Sequence, residues 1–189
     1  MFKFIKTEIP DVIIIESERF TDSRGYFTEC FRAPIFNSNG LPSHFEQDNY
    51  SKSRKGVIRG LHYQLNPMAQ GKLINVIRGR AFDVAVDIRK GSPYFGKWVS
   101  VELSEENNKS IWMPAGFAHG VASLEDETTL HYKTTAIYSS EYERGIRWDD
   151  PRLNIRWPEF GKPILSDKDA KYPKLEDSEI NFEYGANKQ

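Results

Sequence analysis

Apolar residues along this chain come in short, β-branched bursts rather than in long helical stripes. They cover residues 12–15, 56–61, 73–77, 98–103, 110–113 and 128–134. Asn39-Gly40, Lys90-Gly91-Ser92-Pro93 and Pro114-Ala115-Gly116 separate them, the residue types that turns demand. The clearest strand runs from Ala81 to Ile88. Phe82, Val84, Val86 and Ile88 share one face, and Ala81, Asp83, Ala85 and Asp87 the other, a period of two rather than 3.6. Arg78-Gly79-Arg80 before it reads as a tight hairpin turn, with Gly79 supplying a positive φ. Helical signals are scarce. One turn is expected at Ala33–Phe36, where Pro34 is tolerated early, and capped turns at Ser139–Glu143 and Ser166–Lys171. Ser166 serves as N-cap of the latter and Asp169 stands at the capping-box position. The polar, acidic tail beyond Lys174 is expected on the surface. This rhythm predicts an all-β sandwich or barrel with a few short helical turns.

Length changes the picture little: 189 residues predict a single domain over 1–189, large enough to bury a core without staples. Charge excludes more. With 26 basic and 27 acidic residues, the chain has no general attraction for nucleic acid or membrane surfaces. A local arginine cluster could still hold an anionic small molecule. No apolar run approaches the roughly 20 residues of a membrane helix. Met1–Glu8 is soon interrupted by charge, unlike a signal peptide. The expected location is cytoplasmic. Cys30 is the only cysteine, which rules out an intrachain disulfide and fits a reducing compartment. It is expected to be a small buried residue.

Candidate chemistry concentrates in Ile58-Arg59-Gly60-Leu61-His62-Tyr63-Gln64, followed by Gln70-Gly71-Lys72. A cation for phosphate, a base and a cation for an oxyanion suit proton abstraction beside a carbonyl. Gly60-Leu61-His62-Tyr63-Gln64 and Pro114-Ala115-Gly116-Phe117-Ala118-His119 resemble the two motifs of the cupin jelly roll, the second placing His119 on a turn. Metal-binding cupins carry His-x-His and a carboxylate in the first motif. Here Gln64 replaces the second histidine, and Gln70 and Lys72 occupy the carboxylate region. A divalent metal needs three or four ligands and would be repelled by Lys72, so no metal is expected.

His62 is then the base candidate, since neutral imidazole is poised to take a proton near neutral pH. Arg24 and Arg59 are candidate phosphate clamps. Arg59 and His62, three residues apart, should point to opposite faces of a regular strand. For both to serve one pocket the strand must bulge or end between them, and Gly60 would permit it. Tyr132 and Tyr138 share parity, so either could carry a phenol into the interior. His131 faces the other way and reads as structural.

Longer motifs make the resemblance specific. Arg24-Gly25-Tyr26-Phe27, Gln47-Asp48-Asn49-Tyr50-Ser51, Gly71-Lys72-Leu73, Tyr132-Lys133-Thr134-Thr135, Glu143-Arg144-Gly145-Ile146-Arg147-Trp148-Asp149-Asp150-Pro151 and Leu165-Ser166-Asp167-Lys168-Asp169 join the two cupin-like segments. From about Thr21 to Pro173 the chain resembles the dTDP-4-dehydrorhamnose 3,5-epimerase family. The resemblance implies a cofactor-free epimerase on a cupin jelly-roll barrel. It would invert both carbons flanking the keto group of dTDP-4-dehydro-6-deoxy-D-glucose. It implies His62 as base with Asp169 as its carboxylate, Lys72 at the enolate oxygen and Tyr132 as proton donor on the other face. Arg24, Glu29, Gln47, Asp48, Asn49, Arg59, His119 and Glu143 match substrate-binding positions, as does Lys72. Tyr138 matches an aromatic that stacks on thymine. Arg24, Phe27 and Glu29 would come from the partner subunit of a strand-exchanged homodimer. Lys168, at a further substrate-binding position, stands where some members carry arginine, keeping the charge without the fork.

Overall fold

The computed structural model describes residues 1–185; residues 186–189 of the expected domain lie outside them. Thirteen strands and one short helix follow in chain order: β1 Phe2–Lys6, β2 Ile13–Ser17, β3 Arg19–Asp22, β4 Gly25–Thr28, α1 Ala33–Ser38, β5 Gln47–Ser53, β6 Ile58–Gln64, β7 Lys72–Arg78, β8 Arg80–Asp87, β9 Trp98–Ser104, β10 Lys109–Met113, β11 Phe117–Ser123, β12 Thr128–Thr134 and β13 Glu143–Gly145. A six-stranded sheet, ordered β1-β2-β10-β7-β12-β5, faces a five-stranded sheet, ordered β13-β6-β11-β8-β9. All their strand pairs are antiparallel. The two sheets form the jelly-roll barrel. β3 and β4 pair only with each other.

The period-two pattern of β8 explains the layering. Ala81 and Ala85 pack between the sheets with Ile74, Val76, Leu130 and Val121. These short side chains and Asp83 on the same face leave space for a cavity. The bulkier face, Val84 and Val86 with Phe82 beside them, turns outward and packs under the chain that follows β13, through Ile146, Leu153, Leu175, Ile180 and Phe182. A third cluster seats Phe36 of α1 on Ile15, Leu73 and Trp112.

Three expectations change here. Arg78-Gly79-Arg80 is not a hairpin turn: β7 and β8 lie in different sheets, and Gly79, at φ 74°, turns the corner between them. A Cβ there would meet Thr128 Oγ1 at 2.8 Å. The tail beyond Lys174 is not merely superficial. Leu175, Ile180 and Phe182 are buried, Tyr63 Oη donates to the Glu179 carbonyl at 2.7 Å, and Lys90 N donates to the Phe182 carbonyl at 2.9 Å. An apolar residue every few positions suffices to pin an otherwise acidic segment over the sheet. Cys30 is exposed rather than buried.

Among the described residues no helix is long and apolar enough to cross a membrane.

Candidate active site

The site begins with an irregularity in β6. His62 pairs with His119 and Arg59 with Val121, so Gly60 and Leu61 together oppose Gly120. This is the bulge that parity demanded, and it brings Arg59 and His62 to one face. Gly60 adopts φ 118°, and a Cβ on it would strike the His119 carbonyl and lie 2.8 Å from Gly120 Cα. Only glycine fits. Arg59 donates from Nε to Ser53 Oγ at 3.0 Å and from Nη2 to the Lys52 carbonyl at 3.3 Å.

His62 Nε2 lies 2.5 Å from Asp169 Oδ1. Asp169 is buried on a 3-10 turn, Asp169–Lys171, whose first amide donates to Ser166 Oγ at 3.1 Å. Burial pushes the Asp169 carboxyl up, but hydrogen bonds from His62, Ser166 and the Gly60 amide outweigh it and hold the group below its ordinary range. An ionised carboxylate only accepts, so Nε2 carries the ring proton and Nδ1 keeps a lone pair. The Tyr172 ring packs edge-on against the imidazole, centroids 5.6 Å apart.

Lys72 opens β7 with 8% exposure and reaches the His62 carbonyl at 3.5 Å. Burial drives its pKa down to about 8, against the opposing pull of Asp83 and Glu143. It is therefore mostly charged at neutral pH. Tyr132 stands on β12 of the six-stranded sheet, across the barrel from His62. Burial raises its phenol pKa while Arg59 partly offsets this, so the hydroxyl keeps its proton at neutral pH.

His62, Lys72 and Tyr132 line one cavity of about 330 Å³, together with Gln47, Asn49, Gln64, Tyr138 and Glu143. Its mouth is cross-linked. Tyr138 Oη donates to Glu143 Oε2 at 2.7 Å, Lys168 pairs with the same oxygen, and Gln47 Oε1 accepts from the Tyr138 amide at 2.7 Å. Burial raises the Glu143 carboxyl, yet the Lys168 and Tyr138 contacts leave it lowered overall. Tyr138 follows the end of β12, so strand parity never governed it.

Other expected residues lie elsewhere. Asp48 does not line the cavity: it is on the opposite face of β5 from Gln47 and Asn49, and Lys133 Nζ holds both its oxygens at 2.8 Å. Alternation along the strand makes this unavoidable. Arg24 pairs with Asp22, Glu29 with Arg32, and Phe27 is 68% exposed. All three sit on or just after the β3–β4 hairpin, away from the cavity of their own chain. His119 lies within β11, not on the turn before it, and bonds Asp83 Oδ2 at 2.9 Å. His131 takes up Asn75 at 3.0 Å, as a structural histidine should.

Sequence reasoning missed Tyr172 and Asp83 as neighbours of this site. Asp83 alone had a visible signal, a carboxylate interrupting an apolar strand. Gln64, standing where a cupin metal ligand would be, is spent on the backbone: it donates to the Met68 and Ile137 carbonyls and accepts from the Ser139 amide. Among the described residues no three His, Cys, Asp or Glu side chains converge as metal ligands.

A jelly-roll barrel with a histidine–carboxylate pair on one wall, a phenol on the other and a buried ammonium beside them defines a cupin-type acid–base enzyme of the epimerase kind. The family model described as dTDP-4-dehydrorhamnose 3,5-epimerase matches residues 6–177, and the chain belongs to that family. The Shigella flexneri dTDP-4-dehydrorhamnose 3,5-epimerase is 55% identical over 93% of this chain and 97% of its own. The crystal structure of the Legionella pneumophila 3,5-epimerase in complex with dTDP-4-keto-L-rhamnose superposes with a TM-score of 0.90 at 46% identity, over 93% of this chain and 94% of that one. A Streptomyces bikiniensis 3'-monoepimerase in complex with dTDP-quinovose is similar too, with a TM-score of 0.86 at 35% identity, over 90% of this chain and 87% of that one.

Proposed function

We propose that this chain, as one cupin-like domain over 1–189, converts dTDP-4-dehydro-6-deoxy-D-glucose to dTDP-4-dehydro-L-rhamnose by inverting both carbons that flank the ketone. The observation that carries the reading is the placement of His62 and Tyr132 on facing sheets around one cavity. A proton beside a ketone is weakly acidic. His62 Nδ1 takes it, the C–H electron pair moves into the carbonyl, and the oxygen becomes an enolate. Lys72 holds that oxyanion, a contribution of about 3–4 kcal/mol for a well-placed donor. The Tyr132 hydroxyl then gives a proton to the opposite face and the carbon inverts. Imidazolium returns its proton to solvent and the phenolate takes one back. Asp169 fixes the tautomer and stabilises the imidazolium. A second round inverts the other carbon. No nicotinamide or metal takes part in these steps.

Gln47, Asn49, Arg59, His119, Glu143 and Lys168 are the proposed grip on the nucleotide sugar, with Tyr138 against the thymine. Arg24, Phe27 and Glu29 complete the site of a second copy in a strand-exchanged homodimer. This is supported by the exposed apolar face of the hairpin, where the cross-strand pair Phe20 and Phe27 lies uncovered in one chain. The absence of a general membrane or nucleic-acid signal supports a cytoplasmic enzyme.

Likeness to a monoepimerase favours one competing reading, inversion of a single carbon. Proton NMR in deuterated water separates them. Deuterium uptake with inversion at both flanking carbons is the expected result. Uptake at one carbon replaces the reading with the monoepimerase, and uptake at neither removes it.

A further inference from the structure

We infer that Asp83 is a positioning residue for this reaction: a fixed counter-charge beneath the cavity that keeps the Lys72 ammonium charged and orients the His119 ring. The inference rests on the proposed epimerase reading. Asp83 is fully buried on β8. One oxygen, Oδ2, is 2.9 Å from His119 Nε2. The other, Oδ1, is buried without a hydrogen-bond partner. A buried carboxylate with a lone-pair face left open is costly unless a cation answers it. Lys72 answers it through space rather than by a direct contact: it too is buried, it makes only a long 3.5 Å contact to the carbonyl of His62, whose strand neighbour His119 holds Asp83, and Asp83 is the leading influence that opposes the loss of its proton.

The sheet fixes this arrangement. Asp83 pairs with Val121 and Ala85 with His119 across β8 and β11, so Asp83 and His119 lie diagonally on one face, within reach of a side-chain bond. His119 in turn pairs directly with His62. Two histidine–carboxylate pairs, His62–Asp169 and His119–Asp83, thus flank Lys72 on adjoining strands. The groups around that ammonium are Asp83 from β8, Glu143 from β13, His62 from β6, His119 from β11 and Tyr132 from β12. Glu143 is already paired with Lys168 and Tyr138, and both histidines are positive or neutral. Of the two carboxylates only Asp83 is fully buried and has neither a lysine nor an arginine in direct contact. A neutral Lys72 could not hold an enolate, so Asp83 acts through Lys72 without touching substrate.

The test is the pH dependence of kcat/KM for Asp83→Asn. The alkaline limb should move at least about one pH unit lower, as removal of a nearby opposite charge predicts, while KM changes little beside kcat. An unmoved limb overturns the inference. Glu143→Gln is the control: a larger shift there would make Glu143 the counter-charge instead and also overturn it. Stability supplies a second route should Asp83→Asn fold poorly. In Lys72→Met the lone carboxylate is left buried, so Lys72→Met/Asp83→Asn should melt higher than Lys72→Met. A lower melting temperature for the double variant rejects the pairing. Wild-type turnover measured alongside tests the epimerase reading separately, since its absence would condemn that reading while the melting comparison still judged the pairing.

Discussion

His62 owes its poise to a partner 107 positions away in the chain. Asp169 holds one ring nitrogen at 2.5 Å and so decides which nitrogen is free to accept a proton. Replacing His62 with Asn should cut kcat at least about 10²-fold, the lower end of what acid–base catalysis contributes, with dTDP affinity kept; calorimetric titration and turnover together check it. Tyr132→Phe removes the donor but leaves the base. Deuterium should still exchange into the substrate, from the base's side and without inversion, and NMR would show labelled starting sugar in place of product. In the proposed mechanism Lys72 sets the alkaline limit. Activity should fall as pH rises through about 8, when burial strips its proton. The same ionisation acts oppositely on stability. Its folded pKa lies below the ordinary 10.5, so between these values the unfolded chain binds more protons and this group's contribution to stability rises with pH. Kinetic and melting profiles measured over that window should therefore diverge.

The β6 bulge is the device by which an element serves the site. Regular pairing would turn Arg59 away from His62, and one extra residue opposite Gly120 reverses that. Gly60→Ala should cost more than about 3 kcal/mol, since it combines a positive φ with a backbone clash; urea unfolding would measure it, and a loss under 1 kcal/mol would mean the bulge relaxes freely. That bulge was legible in the sequence. Two arginine and histidine roles on one strand with the wrong spacing, and a glycine between them, required it. By contrast Asp48 shares a motif with Gln47 and Asn49, yet alternation places it on the other face with Lys133. A motif records neighbours in sequence, whereas a strand sorts them by parity. β5 itself, Gln-Asp-Asn-Tyr-Ser-Lys-Ser, was invisible as a strand because its inner face lines a polar cavity and carries no apolar alternation. β11 is masked for the opposite reason, since the Pro-x-Gly turn signal runs directly into the start of the strand at Phe117.

On the scale of the molecule, the C-terminal segment is a third layer over the five-stranded sheet. Phe182→Ala should lose about 3–5 kcal/mol, as for a buried aromatic, whereas a surface tail would register within about 0.5 kcal/mol; the denaturant midpoint decides between them. The same layer delivers Asp169 to His62, so the loss of packing should carry a loss of turnover. The β3–β4 hairpin is the opposite case, an element whose cross-strand pair Phe20 and Phe27 stays exposed in its own chain. Phe27→Asp should yield monomers by sedimentation and weaken dTDP binding together, because the proposed dimer shares its sites. A dimer that persists with full affinity would show that the hairpin has another purpose.

The alternation of apolar residues determined an all-β barrel, and the motif residues determined the candidates for the chemistry, because both are local: period, turn residues and residue type are written in consecutive positions. Distances across the barrel are not. That His62 meets Asp169, that Asp83 lies buried beside His119, that Gln64 holds a loop and that the acidic tail packs as core were decided only when two sheets and a returning segment closed on one another. Burial and charge pairing between groups far apart in the chain arise from that closure alone.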